Sequence, residues 1–227
     1  MGTDGVRRVE RPKAAARAIY DRLSRRYDLL AGTAERKPRE AALDLLAPVA
    51  GETILEIGCG TGYALSRLAR AVGDTGMVHG LDLSRGMLEV ARRRLVDAGL
   101  ADRVSLRVGD GATLPYPDSA YDAVFMSFTL ELFDTPEIPL VLAECRRVLR
   151  PGGRLAVVAL SRKCKGSLSR AMVGLYEWFH ERLPGYVDCR PIYIDDALTA
   201  SGFEVKDRRP MGMWGLPVEA VVGFVHG

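Results

Sequence analysis

Histidine is scarce in this chain: His79, His180 and His226 are the three in 227 residues. The four cysteines, Cys59, Cys145, Cys164 and Cys189, form no C-x-x-C pair and have no zinc-like spacing. No metal site is expected from such a set, and four reduced thiols are. No apolar run approaches the roughly 18–20 residues that span a bilayer. The longest runs, Leu155–Leu160 and Ala123–Phe128, have the length of buried strands. Met1–Ala14 is polar and basic, without the apolar core of a secretory signal, so the expected compartment is the cytoplasm. Repeats and low-complexity tracts are lacking as well. Hydrophobic (48%) and charged (27%) contents exclude collagen-like, mucin-like and wholly disordered classes. At this length a single α/β domain spanning 1–227 is the expected organisation.

Charge is uneven. Residues 1–40 hold 11 Lys/Arg against 6 Asp/Glu, a net of +5, and the remainder holds 21 against 23, a net of −2. A basic leading segment suits an anionic substrate, a membrane surface or a nucleic acid, and its plainer reading is a solvated helix face.

After a loose start over residues 1–10, Pro12 fits a first helical turn, and Ala16, Ile19, Tyr20, Leu23, Tyr27 and Leu30 recur on one face. Gly32 and Thr33 interrupt that helix, and Pro38–Leu46 reads as a second. TILEI from Thr53, MVHGLDL, VSLRVGD, YDAVFMSF and RLAVVAL read as five strands. Helices alternate with them at about Tyr63–Val72, Gly86–Ala98 (N-capped by Ser84) and Ile138–Leu149. Such alternation means a doubly wound parallel sheet with helices on both faces. The last quarter reads as a helix over Leu168–Arg182, a short helix over Asp195–Ser201, strands FEVKDR and VEAVVGFVHG, and a loop MGMWGLP between them.

The chemistry concentrates at three strand ends. LEIGCGTG, Leu55–Gly62, sits at a strand-to-helix turn, where Gly58, Gly60 and Gly62 permit a sharp turn and close approach of a ligand. The dinucleotide pattern G-x-G-x-x-G would need glycine at 63, where Tyr63 stands. Asp82 closes the second strand, 20 residues beyond Gly62, placed to accept hydrogen bonds from ribose hydroxyls. Asp110, followed by Gly111, closes the third and offers an acceptor for the exocyclic amine of an adenine. Each has a plainer reading as a turn or cap; together they make a line that takes tail, sugar and base.

LEIGCGTG, the acid of GLDLS, VGDG followed by LPYPDSAYD, and ECRRVLRPGGRL together resemble the class I S-adenosylmethionine-dependent methyltransferases over about Tyr20–Leu160. Within them the chain looks most like the ubiquinone/menaquinone-biosynthesis group, through YD-x5-YDLL at Tyr20–Leu30 and the LP-aromatic-PD stretch Leu114–Asp118. The segment SFTLELFDTPEIP after the fourth strand and the tail VDCRPIYIDDALTASGF depart from that group.

The resemblance implies a Rossmann-like, doubly wound, seven-stranded sheet, mostly parallel with an antiparallel last strand. It implies S-adenosyl-L-methionine as cofactor, held by Tyr27, Glu56, Gly58, Cys59, Gly60, Thr61, Asp82, Leu83, Met87, Asp110, Gly111 and Ser127. Residues 1–46 would form a helical cap over the active site, and 161–215 helical and loop elements on the substrate side. The implied reaction is in-line transfer of a sulfonium methyl group, to which the protein contributes binding and orientation. No catalytic residue is singled out; Glu131 and His180 are the candidates facing the acceptor. Trp178, Phe179, Tyr186, Met211, Met213 and Trp214 are candidates for an apolar pocket.

The expected acceptor is a small lipid-like or aromatic molecule, a quinone precursor or a phospholipid amine, with peripheral membrane contact through the basic N-terminal helix. The alternative is a non-catalytic S-adenosylmethionine-binding regulator or scaffold. A nicotinamide dehydrogenase is disfavoured by Tyr63 and by the lack of a Tyr-x-x-x-Lys pair. No nucleic-acid partner is expected, since no N-P-P-aromatic tetrad and no appended basic domain is present.

Overall fold

The computed structural model describes residues 12–24, 32–163, 172–174, 176 and 189–226. Helices α1 (Lys13–Leu23) and α2 (Gly32–Leu46) precede a β-α alternation: β1 (Thr53–Ile57), α3 (Tyr63–Val72), β2 (Met77–Asp82), α4 (Arg85–Asp97), β3 (Val104–Val108), β4 (Tyr121–Ser127), α5 (Ile138–Val148) and β5 (Leu149–Leu160). Helix α6 (Ile194–Ala200) and strands β6 (Glu204–Met213) and β7 (Leu216–Phe224) close the chain. The seven strands lie in the order β3-β2-β1-β4-β5-β7-β6. β7 runs antiparallel to both its neighbours, β5 and β6, and the remaining pairs are parallel. The order reverses between β1 and β4, and ligands of open α/β sheets bind in the crevice such a reversal leaves at the carboxyl ends of the strands.

Two apolar layers hold the sheet. One packs α2, α3 and α4 against it through Leu46, Leu65, Leu68, Ala91 and Leu95. The other packs α5 and α6 through Leu142, Cys145, Val148 and Leu198 against Val124, Met126 and Val157. The central strands are apolar on both faces because both are covered, as parallel sheets require. Ser84 caps α4, its Oγ accepting from Met87 N at 3.0 Å.

Four element readings change. Helix α2 starts at Gly32, not at Pro38, which lies inside it. One backbone bond is forfeited there, and the buried Ala42, Leu43, Leu45 and Leu46 downstream hold the helix to the sheet. β5 begins at Leu149 and includes Pro151-Gly152-Gly153, because a register irregularity between Tyr121 and Ala123 absorbs the extra residues. MGMWGLP is not a loop: β6 runs to Met213 and β7 restarts at Leu216. Trp214 (φ 52°) and Gly215 (φ 80°) make a two-residue turn whose left-handed backbone matches strand twist. Glu204–Met213 is thus an edge strand within the span 161–215. Finally, α1 ends at Leu23, and Tyr27 and Leu30 lie outside the described residues. Most of Leu168–Arg182 also lies outside them; Met172–Gly174 and Tyr176 are helical.

Cys59, Cys145 and Cys189 are free thiols, and Cys164 lies outside the described residues. Among the described residues no cluster of His, Cys, Asp or Glu could hold a metal, and no helix is long and apolar enough to cross a membrane.

Candidate active site

A pocket opens at the carboxyl ends of β1, β2 and β4 and encloses about 1210 Å³, counting the part continuous with solvent. Its floor is the turn after β1. Gly58 N and Cys59 N donate to Leu81 O at 2.8 and 3.1 Å, which pins the turn to β2. A Cβ on Gly58 would lie 2.3 Å from the Thr129 side chain, so glycine there lets the loop after β4 close in. Gly60 differs: its φ is 51°, and a Cβ would meet nothing within 4 Å. That open space is a cradle for a ligand.

Asp82 locks the cradle. Its Oδ2 accepts from Gly60 N at 2.8 Å and its Oδ1 from Ser84 N at 2.8 Å, which leaves one lone pair on each oxygen for a ligand. Burial raises its pKa, opposed by those two backbone bonds. Glu56 lies beside it, 2% exposed. Burial holds the Glu56 carboxyl well above the usual range, with Arg39 opposing and the Asp82 charge adding to the rise. Its Oε2 has no partner, an orphan acceptor on the pocket wall. Cys59, Thr61, Leu83, Met87, Gly111 and Ser127 line the same space. Burial pushes the Cys59 thiol well up, which suits a packing role.

Two expected site residues, Asp110 and Glu131, meet a different geometry. Asp110 stands two residues beyond β3 and is not on the wall, although Gly109 and Gly111 are. Its carboxylate accepts from Ala112 N at 2.9 Å and pairs with Lys13 at 2.6 Å. Glu131 is not at the mouth. The turn Leu130–Leu132 tucks it under the rim, fully buried, with Oε1 accepting from Leu160 N at 3.3 Å. Burial lifts its pKa to about 8. Tyr27 and His180, with Trp178, Phe179 and Tyr186, lie outside the described residues. Met211 and Met213 pack against the core and Trp214 is exposed; none of the three lines the pocket.

Of four further wall residues, Tyr20 stood in the YD-x5-YDLL segment and the other three in no motif. Lys13, Tyr20, Glu35 and Arg39 come from α1 and α2, which lie across the opening. Lys13 Nζ is 2.6 Å from both Asp110 Oδ2 and Glu137 Oε1. Burial pulls the Lys13 pKa down, but the two carboxylates outweigh it and leave it raised. At the other end of α1, Asp21 accepts from Ser84 Oγ at 2.5 Å and Gly86 N at 2.9 Å. The Ser84 bond is the chief reason its pKa is lowered. Arg39 Nε donates to Ser127 Oγ at 3.2 Å, Arg39 Nη2 donates to Glu35 Oε2 at 2.5 Å, and the guanidinium lies 5.1 Å from the Tyr63 ring centre. For Lys13, Glu35 and Arg39 the only prior signal was the amphipathic spacing of the leading helices.

Residues 54–153 match the family described as a methyltransferase domain. A ubiquinone/menaquinone biosynthesis C-methyltransferase UbiE of Teredinibacter turnerae is 31% identical over 175 residues, 75% of this chain and 69% of that protein. The nocamycin O-methyltransferase of Saccharothrix syringae is 31% identical over 224 residues, 91% and 79%. A demethylmenaquinone methyltransferase of Symbiobacterium thermophilum is 35% identical over 159 residues, and the chain spans 62% of its length. Among solved structures, the [4+2]-cyclase SpnF has the same fold, with a TM-score of 0.76 at 18% identity over 98% of both chains. The chain belongs to the class I S-adenosylmethionine-dependent methyltransferases and stands close to the UbiE group.

The family's cofactor is S-adenosyl-L-methionine, and the pocket fits it. Gly60 leaves the space a ligand backbone needs. The orphan Glu56 oxygen is an acceptor for an ammonium group. The wall carries the carboxyl groups Glu35, Glu56, Asp82, Asp134 and Glu137, of which Glu35 pairs with Arg39 and Glu137 with Lys13.

Proposed function

We propose that this protein transfers a methyl group from S-adenosyl-L-methionine to a hydrophobic, aromatic small molecule of the quinone-precursor type. The observation that carries the reading is one continuous pocket with two sides. The cofactor cradle lies over β1 and β2, and a second space lies over the end of β4 under α2. The names of the UbiE and demethylmenaquinone relatives supply the acceptor class. The cofactor, when bound, supplies an electrophilic methyl group; this chain's residues bind, orient and exclude water. In this reading Asp82 accepts from the ribose hydroxyls, Glu56 faces the amino group, and the base lies along the wall that Gly109 and Gly111 line. Helices α1 and α2 act as the cap that keeps water from the reacting atoms. Fixing two reactants in line supplies roughly 7–11 kcal/mol of barrier lowering at best.

The basic leading segment supports peripheral contact with an anionic membrane, where such an acceptor would reside. Arg17 and Arg22 are exposed on α1. Sedimentation with anionic and neutral vesicles tests this part; equal pelleting removes it.

The central experiment incubates the protein with tritiated-methyl cofactor and a reduced demethylnaphthoquinol. Label in the naphthoquinol fraction, lost in Asp82→Ala, is the expected result. Wild-type protein that binds cofactor yet labels no aromatic acceptor would overturn the acceptor class. A second reading, methylation of an oxygen on a natural product, rests on the O-methyltransferase relative, which aligns over nearly the whole chain. Mass analysis of the product, C-methyl against O-methyl, separates the two.

A further inference from the structure

The charged groups of the pocket sort by strand. Glu56 and Asp82 stand at the ends of β1 and β2, and Glu137 stands with Lys13 and Asp110 toward β3. The sheet order puts β4 across β1 from β2 and β3. A cofactor laid from the glycine turn over the end of β2 toward Gly109 and Gly111 has one open flank, and that flank faces β4. An acceptor must approach there. The wall on that side includes Ser127, Phe128 and Thr129 with Glu35 and Arg39 of α2. Two described wall carboxyl groups lie beyond the end of β4: Asp134, just before α5, whose Oδ1 accepts from Thr135 N at 2.7 Å, and Glu35, which Arg39 holds beside Ser127 at the tip of β4.

Glu35 and Arg39 are 10% and 11% exposed at the side chain. Burying an ion pair is a poor route to stability, because desolvation consumes most of the attraction. The pair is oriented: Arg39 is braced by Ser127 Oγ at the tip of β4 and by the Tyr63 ring, and it holds Glu35 by Oε2. The next residue, Phe128, keeps a left-handed backbone (φ 50°) although it is not glycine. Strain of this kind, of order 1–3 kcal/mol, concentrates at working sites.

We propose that Glu35 is the catalytic base of the acceptor side, taking the proton from the acceptor's hydroxyl or acidic carbon as the methyl group arrives; this rests on the methyl-transfer reading above. The acceptor's electron pair forms the bond to the methyl carbon. The carbon–sulfur bond breaks onto sulfur, which becomes a neutral thioether. The acceptor's proton passes to the Glu35 carboxylate and from there to solvent. No oxidant or further reactant is needed. Arg39 is a positioning residue, which fixes the carboxylate at the end of β4.

The test uses the full chain and two readouts. In the labelling assay with a reduced demethylnaphthoquinol, Glu35→Gln lowers kcat about 10²–10⁴-fold, the usual contribution of a positioned base. The same variant leaves cofactor affinity by calorimetry within roughly twofold. Glu35→Asp restores part of the rate, and the acid limb of the kcat profile disappears only in Glu35→Gln. Weakened cofactor binding with kcat retained, or kcat within threefold of wild type, overturns the proposal. The second readout needs no turnover. Excited 2-naphthol gives up its proton to an adjoining base, so 2-naphthol bound to chain loaded with S-adenosylhomocysteine emits as naphtholate in wild type and as naphthol in Glu35→Gln. Identical emission, or no saturable binding, overturns the proposal. Wild-type chain that shows naphtholate emission but labels no naphthoquinol removes the acceptor class and leaves Glu35 standing.

Discussion

Lys13 and Asp110, 97 positions apart, form an ion pair 2.6 Å long that ties the first helix to the loop after β3. Lys13 reaches Glu137 at the same distance, and Asp21 fastens the other end of the helix to Ser84 and Gly86. α1 has no fully buried residue of its own, so these polar ties, with Ala16 and Tyr20 facing the pocket, hold it across the opening.

Release of cofactor therefore depends on breaking them. Partly exposed pairs are worth about 0.2–1 kcal/mol each. Lys13→Ala is expected to speed cofactor dissociation about two- to fivefold, and raised salt to do the same in wild type but less in the variant. Stopped-flow displacement checks this. Identical rates and salt responses would show that α1 does not gate the pocket.

Two glycines of one turn should respond differently to the same change. A methyl on Gly60 meets no protein atom within 4 Å, and its cost is the left-handed backbone, about 1–2 kcal/mol. Gly60→Ala should stay folded, melt a few degrees lower and lose at least tenfold in cofactor affinity. Gly58→Ala forces its methyl into Thr129 and should be limited by folding instead. Thermal melts paired with calorimetry separate the cases; unimpaired binding by Gly60→Ala would deny close ligand approach.

Glu56 links cofactor binding to pH. In the free pocket, burial favours its protonated form, against the pull of Arg39 and of a backbone bond from Leu65, and the Asp82 charge adds to that preference. A bound cation favours the ionised form. Binding should then release a proton, and affinity should climb with pH, by at most tenfold per unit, between the ordinary carboxylate range and the raised value. Calorimetry in buffers of different ionisation enthalpy counts that proton. A count of zero, or the same pH slope in Glu56→Gln, would assign the dependence elsewhere.

Glu131 makes a stability prediction of opposite use. Its folded pKa, about 8, lies above its unfolded value, so its protonated form supports the fold. The contribution is complete below the unfolded value of 4.5 and is lost as pH rises toward 8. At 1.36 kcal/mol per unit the loss reaches at most about 5 kcal/mol. Glu131→Gln should be more stable than wild type at pH 9 and little different at pH 5. Urea unfolding at the two pH values decides; a variant less stable at both would place Glu131 in a role its burial does not explain.

Much of this was legible beforehand because it is local. The glycine turn, the strand-end Asp82 and the Ser84 cap each depend on a few consecutive residues, and each stands where the alternating pattern puts it. The hairpin at Trp214 was not, because a bulky aromatic is an unusual choice for a left-handed turn position. Asp110 kept its place in the chain, but Lys13 took its carboxylate, and no local pattern announces a partner 97 positions away. Glu131 had the right neighbours in sequence and the wrong direction in space. A tight turn decides which side of the sheet rim a side chain meets, and it turned Glu131 toward Leu160.

The amino-acid order alone determined the alternating strands and helices, the cradle of glycines and the acid that closes it, since backbone conformation and apolar periodicity are short-range properties. The tertiary structure alone decided that Lys13, Glu35 and Arg39 face that cradle and that Glu131 does not. Those placements follow from how two leading helices dock across strands far along the chain, and the burial energy that sets such docking is shared among many residues and written in none of them.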